Sequence, residues 1–193
     1  MVFSFKTLVA LKLNFITMEH ISFVDLPLLK ILHRKNIIFS IEIDLSHFLS
    51  GCPNLEDLKV KGPIPLNFDF HNLVQIQLNV FPNWLPILKV LNHCPKLQIL
   101  VICFYKILNL PGYEEDVWLY PQTIPTCISS HLKTCRLKCH NGFKDQFQFA
   151  IYILENAKYL RTMKICTIGE KNYMERELSS CMKRSNTCTL SFE

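Results

Sequence analysis

The sequence predicts an α/β solenoid, a curved sheet of repeated strands with helices packed on its other face. Three observations predict it. An apolar phrase of the form L-x-x-φ-x-φ, φ being any apolar residue, recurs six times in 193 residues and a seventh time in damaged form. Segments with helical spacing precede several of these phrases. One stretch is nearly written twice: "LSGCPNLEDLKV" (49–60) aligns with "LNHCPKLQILVI" (91–102), so that Leu49, Cys52, Pro53, Leu55, Leu58 and Val60 meet Leu91, Cys94, Pro95, Leu97, Leu100 and Ile102.

In chain order, the first phrase is "LVALKL" (8–13), followed by a damaged copy, "LKILHR" (29–34). A helix is expected over 41–53, with Leu45, Phe48 and Leu49 inward, then the strand "LEDLKV" (55–60) and another, "LVQIQL" (73–78). The segment 84–95 puts Trp84, Leu88, Leu91 and Leu85 on one helical side and leads into "LQILVI" (97–102). Pro53 and Pro95 are expected to stop these helices, because proline lacks the donor N–H and disfavours an α conformation before it. Residues 108–125 hold Pro111, Pro121, Pro125 and the acidic run Glu114-Glu115-Asp116, and read as an inserted loop. Beyond it come "LKTCRL" (132–137) and a long helical segment over 143–160, with Phe143, Phe147, Ala150, Ile151 and Leu154 as its stripe. "LRTMKI" (160–165) follows. A helix over 173–183 with Met174, Leu178, Cys181 and Met182 on one face then precedes a last strand, "TCTLSF".

The leading leucines stand at 8, 29, 55, 73, 97, 132 and 160. Most of the spacings fall in the ~20–29-residue range of a leucine-rich repeat with one strand per unit, and the longer gaps are repeats with insertions. A unit this small cannot bury its own apolar face. It gains stability only by stacking on its neighbours, which fixes the inward letters and frees those between them.

Composition narrows the function. The hydrophobic fraction of 49% and 14 Phe supply a core, yet the longest apolar run, "ILVICFY" (99–105), is too short to span a bilayer. The first residues carry no basic n-region, and Lys6 and Lys12 interrupt any apolar signal core. No membrane association is expected, and a cytoplasmic or nuclear setting is. The nine cysteines are read as reduced, buried thiols. A net charge of +5 permits an acidic partner without implying nucleic acid. Cys135, Cys139 and His140, with His131 nearby, invite a zinc reading, but Cys135 holds the inward strand position of Leu58 and Leu100. His93-Cys94 is an equally weak nucleophile pair, since the repeated Cys52 has no adjacent His. No glycine-rich phosphate loop is present, so no catalytic residue, metal or cofactor is expected.

After residue 127 the chain resembles the FBD domain found at the C-terminus of plant F-box/leucine-rich-repeat proteins. The residues that carry the resemblance are the strand "HLKTCRLKCHNG", the helix running into "FAIYILENAKYLRTMKI", and a closing motif of Arg184, Ser185, Cys188, Leu190 and Phe192. "LLKILHRKNIIF" and "LSGCPNLEDLKV" look like the repeats that precede such domains. The domains expected are therefore irregular leucine-rich repeats over 1–107, the loop 108–125, and an FBD domain over 126–193. The resemblance implies a non-catalytic interaction module, similar to the substrate-recognition half of an SCF ubiquitin-ligase subunit. No segment resembles the F-box, so docking to the SCF adaptor is not expected. The apolar start (Val2, Phe3, Phe5, Leu8, Val9) suggests a chain cut from a longer parent. The alternative is a truncated or pseudogene product with no independent function, or a competitor of full-length relatives.

Strand alternation places the binding candidates. If Leu58, Ile76, Leu100, Cys135 and Met163 face inward, their odd neighbours face out. That outer set is Lys12, Asp57, Lys59, Lys61, Gln75, Gln77, Asn79, Ile99, Val101, Cys103, Arg136, Lys138 and Lys164, with Thr134, Thr162 and Cys166 among them. Its six basic residues against one acid suggest an acidic or polar protein partner, with Ile99, Val101 and Cys103 as an apolar anchor. Two plainer readings stand beside it: the lysines keep an exposed sheet soluble, or a loop covers the apolar trio.

Overall fold

Six four-residue turns set the rhythm of the chain. In 26–29, 52–55, 70–73, 94–97, 157–160 and 185–188 the last N–H donates to the first carbonyl at 3.1–3.4 Å. The first residue of each turn is buried and so, in all but the last, is the fourth. Pro27, Pro53 and Pro95 hold the second position, where the fixed φ of proline suits a β-turn. This corrects the expected role of Pro53 and Pro95, because the helices before them have already ended at Ser50 and Asn92.

The computed structural model describes residues 2–15, 17–18, 23–35, 38–39, 45–61, 68–80, 84–104, 120–139, 144–167 and 171–193. Phe143, His140 and the acidic run at 114–116 lie outside the described residues, as do the side chains of Val2, Phe3 and Cys139. The elements run β1 (Val2–Ser4), β2 (Ala10–Asn14), β3 (Thr17–Met18), β4 (Phe23–Asp25), β5 (Ile31–Lys35), β6 (Ile38–Phe39) and α1 (Leu45–Ser50). They continue with β7 (Asp57–Lys61), β8 (Gln75–Val80), α2 (Trp84–Asn92), β9 (Ile99–Phe104), α3 (Thr126–Ser130) and β10 (Thr134–Cys139). Last come α4 (Lys144–Asn156), β11 (Thr162–Thr167), α5 (Lys171–Ser180) and β12 (Thr189–Phe192).

Eight strands form one open parallel sheet in the order β12-β11-β10-β9-β8-β7-β5-β2. Each strand lies beside the one contributed by the previous repeat. One carbonyl per repeat enforces this. Val9, Lys30, Glu56, Val74, Gln98 and Lys133 each accept two successive N–H groups from the start of the next strand, at 2.8–3.2 Å. The inward residues form two ladders. One runs Leu11, Leu32, Leu58, Ile76, Leu100, Cys135, Met163, Leu190. The other runs Leu13, Arg34, Val60, Leu78, Ile102, Leu137, Ile165, Phe192. Leu58, Ile76 and Leu100 thus line up as the pattern requires, and Cys135 continues their row while Leu137 continues that of Val60. A continuous buried cluster runs from Val24 to Leu178 behind them.

The first two repeats are built differently from the rest. Val2 pairs with Phe23, Ala10 with Ile31 and Thr17 with Ile38, each in parallel and each 21 residues apart. Two successive coils therefore stack through three strands apiece. The next repeat replaces its first strand by α1, which packs on β4.

Three helical faces differ from expectation. In α2 the buried residues are Trp84, Ile87, Leu88, Val90 and Leu91, whereas Leu85 is 54% exposed. In α4, Phe149, Tyr152 and Ile153 are buried with Ala150 and Leu154, while Phe147 and Ile151 are only partly so. The cause is that α4 touches α3 and α5 and stacks Phe149 on Trp84 of α2, which widens its buried side beyond one stripe. Past the end of α5, Met182 is 83% exposed. Among the described residues, no helix is long and apolar enough to cross a membrane.

Candidate binding face

The expected outer residues do share one face, and strand register brings them into rows. Asp57, Gln75, Ile99, Thr134 and Thr162 form the first row, between Ile31 and Thr189. Lys12, His33, Lys59, Gln77, Val101, Arg136, Lys164 and Ser191 form the second. Lys61, Asn79, Cys103, Lys138 and Cys166 form the third. Inward residues of the two ladders are buried from β5 to β11 and partly buried on the edge strands β2 and β12, and the outward ones from β7 to β11 are half-buried. Ile99, Val101 and Cys103 occupy the centre and are half-buried, as are Gln75 and Gln77 beside them.

Two charged residues that the sequence reading passed over belong to this face. Lys35 extends β5 next to Asn14, outward like His33 two residues before it. Glu193 follows β12, its N–H bonded to the carbonyl of Ile165. Simple parity could have found both, through the alternation His33, Lys35 and the alternation Ser191, Glu193. They add one charge of each sign, so the balance of the face is unchanged and its distribution is not.

Glu193 neutralises the β10–β11 side. Its carboxylate accepts from Arg136 Nη2 at 2.8 Å and from Lys164 Nζ at 3.1 Å, with the Cys166 thiol at 3.4 Å. These contacts, with Lys164 foremost, hold the Glu193 carboxyl below the usual range. Asp57 is likewise engaged, within 3.2 Å of His33 Nε2 and accepting from Gln75 Nε2 at 3.4 Å. Both contacts lie in the first two rows, near the amino ends of the strands. At the carboxyl ends of β2, β5, β7 and β8 a cavity of about 400 Å³ opens, lined among others by Lys12, His33, Arg34, Lys35, Lys59 and Lys61.

Among the described cysteines, Cys52, Cys94, Cys127 and Cys135 are buried and behave as filling, whereas Cys103, Cys166, Cys181 and Cys188 are half-buried, which corrects the expectation that all are core thiols. Cys52 Sγ donates to the carbonyl of Phe48 at 3.5 Å, Cys94 to Val90 at 3.2 Å and Cys127 to Leu91 at 3.3 Å. Burial pushes the Cys52 and Cys127 thiols up to about 12, and Cys94 up as well. His93 turns away from Cys94, its Nδ1 within 2.6 Å of Asp69 Oδ1. Among the described residues, no group of three His, Cys, Asp or Glu is placed to hold a metal ion.

The part around α4 can be placed among known proteins. Tyr120 donates to Glu155 Oε2 at 3.1 Å and receives Asn156 Nδ2 at 3.2 Å, so the segment before α3 is pinned to α4. Residues 120–165, which begin at this tether and end in β11, match the profile of the FBD family. The chain carries an FBD domain. Its relatives agree with that. An F-box/FBD/LRR-repeat protein of Arabidopsis thaliana is 31% identical over 139 residues, covering 66% of this chain and 31% of its own length. A second such protein is 29% identical over 185 residues, covering 84% of this chain and 40% of its own. An FBD-associated F-box protein of the same plant is 26% identical over 185 residues, covering 86% and 35%. The chain is of the plant FBD/LRR kind, and it spans about a third of the length of these relatives. No solved structure matches it.

The motif that closes the FBD-like region now has physical roles. Arg184 N–H donates to the carbonyl of Leu154 at 2.9 Å, and Ser185, 5% exposed, donates its hydroxyl to the carbonyl of Leu160 at 2.5 Å. Cys188 ends the last turn, and Leu190 and Phe192 pair with Met163 and Ile165. The motif is the final repeat's turn and strand.

Proposed function

We propose that this chain is a non-catalytic protein-interaction module, the target-binding part of a receptor of the F-box/FBD/LRR type, as in SCF ubiquitin ligases. The repeats and the FBD domain form one leucine-rich-repeat solenoid in this reading. The target lies across the outer face of the eight-stranded sheet. One observation carries the proposal: the outward residues of consecutive parallel strands form continuous rows with an apolar trio, Ile99, Val101 and Cys103, at the centre and cations around it. A central apolar anchor within a polar rim is the usual anatomy of a protein interface. The names of the relatives support the class of partner, and the engaged state of Cys52, Cys94 and His93 speaks for packing over catalysis.

A photo-crosslinking amino acid placed at Val101, and separately at Lys89 on the exposed side of α2, tests this in plant extract. A discrete protein crosslinked from position 101 and not from position 89 is expected. The same set of products from both positions, or none from either, overturns the reading.

A further inference from the structure

The residue just before each strand of the main sheet anchors the next repeat through its carbonyl. From β5 to β11 these residues are Lys30, Glu56, Val74, Gln98, Lys133 and Arg161, in a row along the amino-end edge of the sheet. The two ends of this row are balanced differently. Lys30 Nζ meets the Glu56 carboxylate at 2.8 Å. Lys133 Nζ reaches the amide oxygen of Gln98 instead, also at 2.8 Å, and Arg161 follows one strand on, ~4.8 Å further. Lys158, in the turn before β11, holds its Nζ 5.4 Å from the centroid of the Tyr159 ring. Lys133, Lys158 and Arg161 are exposed and make no ion pair among the described residues. With His131 they line a groove of about 300 Å³, and no carboxylate stands in its wall. Every segment that builds this wall, from the turn into β9 to the turn into β12, lies within the described residues. Lysines kept for solubility alone need no fixed position. Here one ammonium is tied to Gln98 and another lies over a ring, with no acid facing either.

We propose that this edge of the FBD domain is a second docking surface, which takes an Asp/Glu-rich segment of a partner protein in the groove of Lys133, Lys158 and Arg161. The molecule itself shows which group the row accepts, since the Glu56 carboxylate fills it beside Lys30. A guanidinium next to ammonium groups suits carboxylates, which accept from Arg in pairs and from Lys singly. A nucleobase would need an open aromatic face, and the Tyr159 ring has Lys158 against it. The surface lies at the strand ends, apart from the outer face, and does not rest on the reading of that face.

The test uses the full chain at low salt with three fluorescent probes: a peptide of alternating Glu and Ser, its Gln and Ser counterpart, and a single-stranded RNA of the same total charge. The acidic peptide is expected to bind at least tenfold tighter than either other probe. Lys133→Gln/Arg161→Gln should remove that preference, with a melting curve to check that the variant folds. Lys158→Gln alone serves if it does not, and should halve the preference or more. Gln98→Glu should also remove the preference, at an unchanged or higher melting temperature, because its carboxylate would satisfy Lys133 as Glu56 satisfies Lys30. Lys89→Gln, on the exposed side of α2, should leave binding unchanged. RNA bound as tightly as the acidic peptide, no preference for Glu over Gln, or a preference indifferent to Lys158→Gln and Gln98→Glu each overturns the docking surface. The crosslink from position 101 is expected in all these variants, so its absence would remove the outer-face reading and leave this edge standing.

Discussion

Gly51 is the residue whose identity the packing dictates most sharply. A Cβ built there would sit 2.4 Å from the carbonyl oxygen of Val24, a backbone atom that cannot swing away. The same approach lets Leu26 N–H donate to the Gly51 carbonyl at 2.8 Å, tying α1 to the previous coil. Gly51→Ala should therefore cost about 1–3 kcal/mol, the range for overpacking, and lower the melting temperature by several degrees. Calorimetry showing an unchanged melting point would contradict the close approach. Ser185 illustrates a different residue-level constraint. Its buried hydroxyl satisfies the carbonyl of Leu160, so the serine of the closing motif is a turn-to-turn bond and not a reactive group.

Among the elements, α2 and α4 decide whether repeats and FBD domain behave as one body. The Trp84 ring stacks on Phe149 at 4.1 Å with 12° between planes, and meets Phe104 edge-on at 4.9 Å. One side chain thus joins a helix of the repeat region, strand β9 and a helix of the FBD domain. Offset aromatic stacking adds to the area that such rings bury. Trp84→Ala should cost about 3–5 kcal/mol in denaturant unfolding, and Trp84→Phe clearly less. A cost confined to a separate early transition, with the FBD part unfolding unchanged, would show two bodies instead of one. The all-β coils at the start make the complementary point. There the described residues stack further short strands at a strict 21-residue step in place of a helix.

For the whole molecule, the buried thiols make stability fall on the alkaline side. An unfolded thiol ionises near its ordinary value of 9.0, while Cys52 and Cys127 in the fold resist ionisation up to about 12. Folding stability is thus fully present below pH 9 and declines through the interval up to pH 12, by about 1.4 kcal/mol per pH unit for each such thiol. Tyr152, pushed up from 10.0 to about 12 by burial, acts in the same direction. Cys52→Ala/Cys127→Ala should flatten the decline of the urea midpoint between pH 9 and 11 relative to wild type. Parallel declines would mean that these thiols are not buried as described. At the same scale, sequence and tertiary structure divided the work unevenly. The inward ladders, the strand series and the outer set from Lys12 to Lys164 were legible, because a one-sided strand must alternate and a stacked unit must repeat its core letters. Helix faces were legible where one packing partner dominates: Leu45, Phe48 and Leu49 of α1, which packs on β4, fit, whereas α4, wedged between α3 and α5, buries residues its stripe did not include. The short α3 left no trace, since five residues hold little more than one period. Charge was the least legible of all. Parity says which way a residue points, but which cations Glu193 engages and which gather around the cavity at the carboxyl ends depends on distances between residues far apart in the chain. Those distances exist only once the strands have stacked.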